Sequence, residues 1–446
     1  MSMKRGPQQK EKKILSAKGL LATVRKNFAN IITNEKRDSR GRNRKISLAD
    51  SLSSALAMFG MKTPSLLGFD QACKDPVVSH NLKTLYGVEN APSDTYMREE
   101  LDKVDPLLLR ESFLSIFSAA QKGKLLEQYS FLGGFLLSVD GTGLFNSDSV
   151  HCENCCEKQH RDGTKTYYHQ ALVGAIVHPD LAQVIPLCPE LISKQDGTNK
   201  NDCERRALQR FLIKLKKEHP RLNLTLVCDA LSANAPTINE IKSYGYNFII
   251  NVKPGSNKAL FEWIDGEKLN TVEVKIDKNT YVFRYINGIP LNDSKDAPIV
   301  NFLECVATEI KGKTEKKITF TWVTAHKINN KNVYLLMQGG RSRWKIENET
   351  FNTLKNQGYQ FEHNFGHGSK HLFHVFAVLM LLAFLIDQIQ EAACGLFQSA
   401  YKKMISRRAL WEKMRCYFFT YKINSWEDLF TAIKESFSLT LVVNSS

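Results

Sequence analysis

Two apolar strands, each followed by a single aspartate, constrain the fold of this chain most strongly. Leu132–Val139 precedes Asp140, and Leu222–Cys228 precedes Asp229. A buried strand delivers the side chain at its end to a fixed position, and ligands of α/β sheets gather where strands end. We therefore expect the two aspartates to share one site. Taken alone, Asp140 could equally be a turn residue, because Asp-Gly is a common turn pair.

The order of the predicted elements indicates an α/β fold. Strands and helices alternate between residues 131 and 264, and a run of short strands follows, ending with Val333–Met337. We expect a mixed sheet flanked by helices and interrupted by a β-rich insertion, with helical regions at both ends. The predicted segments are a basic tail (1–46), a helical region that either binds DNA or only packs (47–130), the first part of the α/β domain (131–264), the β-rich insertion (265–337), the second part of the α/β domain (338–392) and basic C-terminal helices (393–446).

The composition favours a polyanionic partner. The net charge is +15 and the pI is near 9.2, which is typical of proteins that bind nucleic acid or an anionic membrane surface. The ten cysteines are mostly scattered, as in a reducing compartment, and the N-terminus has no secretory signal. The apolar run 372–386 is too short for a membrane span and contains His374, so we predict a buried core helix, no membrane partner and a cytoplasmic location.

A third acid is predicted on the helix from about Ser342 to Asn356. Trp344, Phe351 and Leu354 mark its buried side, and Glu347 borders that stripe and can face inward. An ordinary amphipathic helix with a salt-bridged glutamate is the alternative interpretation.

Three carboxylates on a basic protein suit phosphodiester chemistry with two divalent ions, held about 4 Å apart. Hard oxygen ligands favour Mg²⁺ or Mn²⁺. The basic residues predicted to hold backbone phosphates are Arg341, Arg343, Lys345 and Lys355.

Taken together, these residues resemble the motifs of the DDE transposases of bacterial insertion sequences. The matching elements are Ser138-Val139-Asp140-Gly141-Thr142, Val227-Cys228-Asp229 and Arg343-Trp344-Lys345-Ile346-Glu347-Asn348. The β-rich insertion is similar to that of the cut-and-paste branch, and the resemblance covers roughly 131–390. Two positions depart from that branch: Gly340 stands where a tyrosine is usual, and Leu354 where a lysine is usual, with Lys355 one residue later.

The resemblance implies an RNase H-like catalytic domain in which Asp140, Asp229 and Glu347 bind two Mg²⁺ or Mn²⁺ ions. It also implies hydrolysis at transposon ends, strand transfer into target DNA, and an active homodimer or larger assembly on double-stranded DNA, associated with the nucleoid. Two alternatives stay open at this point. One is a non-catalytic DNA-binding protein derived from the same fold, and the other is an RNase H-like nuclease without strand transfer.

A cysteine-rich loop follows the first aspartate. Cys152, Cys155 and His160 have the spacing of zinc ligands, and His151, Cys156, His169 or Cys203 could supply a fourth. The predicted set is Cys152, Cys155, Cys156 and His160, in a structural site separate from the carboxylates. A polar loop with reduced cysteines is the alternative.

Further acids on the chain are interpreted differently. Asp196, Asp202 and Glu204 lie among lysines and arginines, and this pattern is typical of a solvated, ion-paired helix face.

Overall fold

The structure, a computed structural model, describes residues 13–34, 46–193, 200–311 and 314–435. The chain forms two compact units. The helical unit contains residues 1–126, 144–169 and 352–446, and the sheet unit contains 127–143 and 170–351. These limits differ from the predicted segments, because residues 352–392 group with the N-terminal helices. The predicted basic stretches 1–12 and 35–45 and the end of the C-terminal segment, 436–446, lie outside the described residues.

The helices and strands of the described residues are numbered in chain order. The α-helices are α1 Ala17–Asn34, α2 Leu48–Gly60, α3 Leu66–Cys73, α4 Pro76–Asn81, α5 Asp94–Leu101, α6 Arg110–Lys122, α7 Lys200–Glu218, α8 Ala235–Ser243, α9 Lys258–Asp265, α10 Val333–Arg341, α11 Asn352–Asn356, α12 Leu372–Ala393, α13 Gly395–Tyr401, α14 Arg407–Thr420 and α15 Trp426–Glu435. The strands are β1 Ser130–Phe131, β2 Gly134–Ser147, β3 Cys156–Gln159, β4 Lys165–Val177, β5 Ile185–Pro186, β6 Glu190–Ile192, β7 Leu224–Cys228, β8 Asn247–Asn251, β9 Asn270–Ile276, β10 Asn279–Pro290, β11 Ile299–Lys311 and β12 Thr314–Thr324.

The sheet unit is built on a mixed sheet with the strand order β4-β2-β7-β8-β12-β11-β10-β9. Strands β2, β7 and β8 pair in parallel, whereas β8, β12, β11, β10 and β9 pair antiparallel. All five residues of β7 are buried, which explains its continuous apolar sequence, because a strand inside a parallel sheet is covered on both faces. The predicted mixed α/β class is confirmed.

Strand β2 corrects the prediction that an apolar strand ends at Asp140. The strand continues to Ser147, so Asp140 lies inside it. Parallel pairing with β7, however, stops at Ser138, which is opposite Val227. Extending that register by two residues places Asp140 beside Asp229. The predicted end of the strand is therefore wrong, and the position of Asp140 coincides instead with the end of the parallel pairing.

Strands β9 to β12 form an antiparallel meander that extends the sheet from β8. The edge strand β9 is largely exposed, and its Glu273 and Lys275 are charged, which protects a free sheet edge against pairing with another chain. The predicted strand Val333–Met337 is wrong, because these residues begin helix α10. Val333, Leu336 and Met337 have helical spacing and are buried in one core cluster with the meander. A short apolar run does not distinguish the two structures.

The helical unit is organised around α12. Helices α1, α2, α6 and α13 pack against it. This helix is long and apolar enough to cross a membrane by length and composition, but all of its 18-residue apolar window is buried inside the protein. The predicted core helix is confirmed by this burial, but the prediction that the apolar run is too short to span a membrane is wrong, because the helix continues to Ala393. Helix α1 lies within the segment predicted as a basic tail, and its Leu20, Val24 and Phe28 are buried.

Two helices of the helical unit begin at serine caps. Ser47 and Ser93 cap α2 and α5, each accepting a hydrogen bond from a backbone N–H three residues later.

Inside the unit, Lys62 forms a buried ion pair with Asp387, which also accepts a hydrogen bond from Tyr359 at 2.6 Å. Partners of this kind are what allow a charged pair to be buried.

Candidate catalytic and metal sites

Two of the predicted acids lie beside each other at the end of the parallel pairing. Asp140 is held by the backbone N–H of Gly141, which donates to its Oδ1 at 2.8 Å. Asp229 directly follows β7 and caps a short 3-10 helix by accepting from the N–H of Leu231 at 3.1 Å. Both line one pocket of the sheet unit together with Cys228 and Ser232. The expected convergence of the two aspartates is present in the structure.

The third predicted acid, Glu347, reaches the same neighbourhood through Arg343. The Nη1 atom of Arg343 lies 2.6 Å from a carboxylate oxygen of Glu347 and 3.4 Å from Oδ2 of Asp140. One guanidinium nitrogen therefore contacts both carboxylates. The Ser138 hydroxyl donates to the Arg343 carbonyl at 3.0 Å, so the turn that carries the arginine is tied to the strand that carries Asp140.

The helix that carries Glu347 differs from the regular helix that was predicted. A turn follows α10, and residues Ile346–Phe351 form a π-helix before α11. Ile346 and Leu354 are fully buried, but Trp344 is 52% exposed and does not belong to the buried stripe. Pi-helical turns of this kind occur frequently at functional sites.

The carboxyl group of Asp140 has a raised pKa. Burial raises the pKa to about 6, Arg343 opposes that shift, and the charges of Asp229 and Glu347 raise it further. The side chain is 23% exposed, whereas that of Arg343 is 11% exposed. Acids gathered in a partly buried site are stabilised by added positive charge, which a bound cation would supply.

A fourth acid, Glu204, lies at the same pocket, where sequence reasoning had placed it on a solvated face. Its side chain packs against the backbone next to Asp140, because a Cβ atom added to Gly141 would lie 2.6 Å from Glu204 Oε1. The sequence contains a signal for an inward-facing Glu204, because the apolar Leu208 and Phe211 follow it by four and seven residues on α7, and both are buried. We call Asp140, Asp229, Glu347 and Glu204 the carboxylate cluster.

The four basic residues predicted to bind phosphates all have partners within the chain. Arg343 contacts Asp140 and Glu347, as described. Arg341 pairs with Glu309 at 2.9 Å, Lys345 donates to the carbonyl of Leu181 at 2.6 Å, and Lys355 of the helical unit pairs with Glu362 at 2.7 Å. Half-exposed ion pairs of this type are weak and exchange readily with other anions.

Gly340, one of the two positions that depart from the motif resemblance, is closed by a neighbouring side chain. A Cβ atom on Gly340 would meet the buried indole of Trp322, with Cε2 at 2.6 Å. The packing of Trp322 against the backbone of α10 thus explains why this chain has glycine at that position.

Four metal-ligating side chains converge in the helical unit. They are Cys152, Cys155, His169 and His367, and their ligand atoms all lie within 4.8 Å of one another. We call them the Cys/His cluster. It could hold a metal ion, and the cysteines are free. The pKa of the Cys152 thiol is lowered, chiefly by the hydrogen bond from Cys155.

The predicted zinc ligands are therefore corrected in part. Cys152 and Cys155 belong to the cluster, whereas Cys156 and His160 do not. Cys156 begins strand β3, and the Nε2 atom of His160 is 2.8 Å from the Thr166 hydroxyl. His169 was one of the alternatives for the fourth ligand. The sequence also has His363, His367 and His371 at a spacing of four, but Gly366 and Gly368 indicated a loop, so His367 was interpreted as a loop or DNA-facing residue and not as a ligand. No local signal joins it to Cys155, which lies 212 positions away.

Comparisons with known proteins do not assign this chain to a family. No protein-family model matches the chain, and no curated protein is significantly similar to it.

Proposed function

We propose that this protein is a DNA transposase that hydrolyses phosphodiester bonds at transposon ends and transfers strands into target DNA. The observation that carries the proposal is the convergence of the acids: Asp140 and Asp229 lie side by side, and Arg343 joins Asp140 to Glu347. The parallel strands β2, β7 and β8 beneath them support an RNase H-like arrangement of the sheet unit.

The donor set fits hard divalent cations. Asp140, Asp229 and Glu347 supply carboxylate oxygens, and Glu204 adds a fourth acid to the same pocket. Mg²⁺ or Mn²⁺ matches such ligands, and two ions held there would supply activation of the attacking oxygen and stabilisation of the leaving oxygen. The raised pKa of Asp140 supports the same conclusion, because like charges gathered in a partly buried site favour a bound cation.

The protein's own residues have separate tasks in this proposal. The carboxylates would hold the cations, and Arg343, which contacts Asp140 and Glu347, would direct its remaining donors to a substrate phosphate. Gly141 keeps Asp140 oriented through its backbone N–H. Exposed Arg205 lines the same pocket and would approach the DNA backbone. The partner is duplex DNA, in keeping with the net charge of +15.

The experiment uses the purified full chain and a linear duplex carrying the DNA that flanks this coding sequence on both sides. With Mg²⁺ or Mn²⁺ we expect cleavage at the ends and joined products with a plasmid target. Asp140→Asn, Asp229→Asn and Glu347→Gln should each reduce both reactions by about 10³-fold or more, while binding in a mobility-shift assay is retained.

Glu349→Gln is the matched control. Glu349 is the same residue type on the same π-helix, but its charge acts on Lys345. We expect wild-type cleavage from this variant. Cleavage without joined product would replace the proposal with a nuclease, and DNA binding by a wild type that never cleaves would replace it with a non-catalytic DNA-binding protein.

A further inference from the structure

Five of the six ligand-to-ligand distances in the Cys/His cluster are close to those of a tetrahedral metal site, and the sixth, between Cys152 and His367, is within 4.8 Å. The two sulfur atoms are 3.9 Å apart, and the Nε2 atom of His169 lies 3.4 Å from each of them. The Nε2 atom of His367 is 3.2 Å from the Cys155 sulfur and 3.2 Å from the Nε2 atom of His169. A zinc ion bound at about 2.3 Å to sulfur and about 2.0 Å to nitrogen separates its ligands by roughly 3.3 to 3.8 Å.

We propose that Cys152, Cys155, His169 and His367 form a closed structural zinc site that fastens the cysteine loop to the segment preceding α12. This site is independent of the carboxylate cluster and of the proposed function.

The donor chemistry selects zinc over the ions expected at the carboxylates. Two thiolates and two imidazoles are soft or borderline ligands in tetrahedral array, and such sets bind zinc, whereas Mg²⁺ and Mn²⁺ prefer oxygen. The negative charges of two thiolates also equal the positive charge of one Zn²⁺ ion. The metal centre as a whole would therefore be neutral, although it is buried. Cys155, His169 and His367 are all buried, and Cys152 is half-buried.

The surroundings orient the donors in the way that metal-binding histidines require. The Nδ1 atom of His169 lies 3.1 Å from Nε2 of the buried His374. When Nδ1 carries the proton and donates it to His374, the lone pair of Nε2 points into the cluster. Phe373 stacks on the His169 ring with centroids 4.4 Å apart, and Phe145 lies against His367 at 4.8 Å. These rings exclude water from the donors.

The loops that carry the ligands are already held together by backbone contacts. Asn154 donates to the carbonyl of Lys370 at 2.5 Å, and the N–H of Glu153 to that of Ser369 at 3.4 Å. Asp102 accepts from the backbone N–H groups of residues 369–372, and these bonds lower its pKa against the effect of burial. Ligand loops held in advance need little reorganisation to bind the ion. An ion joining Cys155 to His367 would also close a long loop, which stabilises the folded chain.

The test is the metal content of the full-length protein purified without added zinc or a metal-affinity column. We expect about one zinc per chain by mass spectrometry. After replacement of zinc by Co²⁺, the visible spectrum should show tetrahedral ligand-field bands and sulfur-to-cobalt charge transfer from two thiolates. This measurement needs no variant, so it stands even where a substitution prevents folding.

Variants then identify the ligands. Cys155→Ser and His367→Gln should lose the zinc, whereas Cys156→Ser is the matched control and should keep it, because the neighbouring buried Cys156 lies outside the cluster. Wild-type protein without zinc or cobalt binding overturns the proposal. Loss of the metal in Cys156→Ser equal to that in Cys155→Ser, or a Cys152–Cys155 disulfide in the protein isolated under reducing conditions, also overturns it.

Discussion

The carboxylate cluster and the Cys/His cluster solve opposite electrostatic problems. In the first, acids gather beside Arg343 in a partly buried site, and burial, with a smaller contribution from the charges of Asp229 and Glu347, raises the pKa of Asp140 to about 6. In the second, thiols and imidazoles lie at hydrogen-bond distances and can form a neutral metal centre. Acids that repel one another suit a site that exchanges cations and substrate phosphates. Buried donors whose charge balances that of the ion suit a permanently bound metal.

The two clusters also differ in how much of each is exposed. Glu347 is 35% exposed and Asp140 23%, so DNA and hydrated cations can reach the carboxylates. Three of the four residues of the Cys/His cluster are buried. Access is therefore available at one cluster and restricted at the other.

Chelation gives the largest expected effect and separates the clusters. A weak Mg²⁺ chelator should abolish cleavage completely, with recovery on adding Mg²⁺ or Mn²⁺, and should lower Tm only by the small amount expected for a weakly bound ion. A strong zinc chelator, applied for hours, should lower Tm by roughly 5 to 10 °C. Activity and thermal unfolding are measured on the same samples. A fall in Tm on removal of Mg²⁺ as large as that on removal of zinc would contradict the proposed difference between an exchangeable and a permanent ion.

Removal of charge from Asp140 should stabilise the metal-free protein. Burial raises its folded pKa to about 6, above the ordinary value of 3.8, so the ionised carboxyl destabilises the fold. The penalty is complete above about pH 6, declines as the pH falls and disappears below about pH 4. Asp140→Asn should therefore raise the free energy of unfolding by up to about 3 kcal/mol at pH 8.

Denaturant unfolding in the presence of EDTA at pH 8 and pH 4 checks this expectation, with wild type as the reference. At pH 4 the two proteins should be nearly equal. An equal gain at both pH values would mean that packing, not charge, is responsible. In contrast, Cys155→Ser should have a lower free energy of unfolding at pH 8 than the wild-type protein that contains zinc.

The contact between His374 and His169 gives the smallest expected effect. His374→Leu leaves the Nδ1–H of His169 without an acceptor, and loss of such a partner weakens metal binding by about 10- to 100-fold. His374→Gln retains an acceptor and serves as the control. Competition with a chromogenic zinc chelator measures both affinities. Equal affinities for Leu and Gln would mean that the hydrogen bond does not tune the site.

Much of the carboxylate cluster was predictable because each acid has a local signal. Asp140 follows an apolar run within β2, Asp229 follows the apolar strand β7, and Glu347 borders a helical stripe. Glu204 has the same kind of signal on α7, but the lysines and arginines around it led to its interpretation as a solvated, ion-paired residue. Solvated ion-paired faces and inward-facing acids share a composition, and only the spacing to buried residues distinguishes them.

Other elements were not predictable from local pattern. Val333–Met337 reads as a strand, but its side chains complete the core formed by the meander, and that burial selects the helix. Trp344 belongs to no buried stripe because the π-helical turn changes the angular spacing of the residues after it. In both cases tertiary packing decides between conformations of similar local preference.

By itself, the sequence determined the α/β class, the two aspartates after apolar strands and the paired cysteines, because these depend on hydrophobic periodicity and short spacing. Only the tertiary structure decided that β2 continues past Asp140, that Arg343 bridges two carboxylates, and that His367 completes the Cys/His cluster. The reason is physical: each of these features depends on contacts between residues far apart in the chain, and no local preference encodes which distant partners meet.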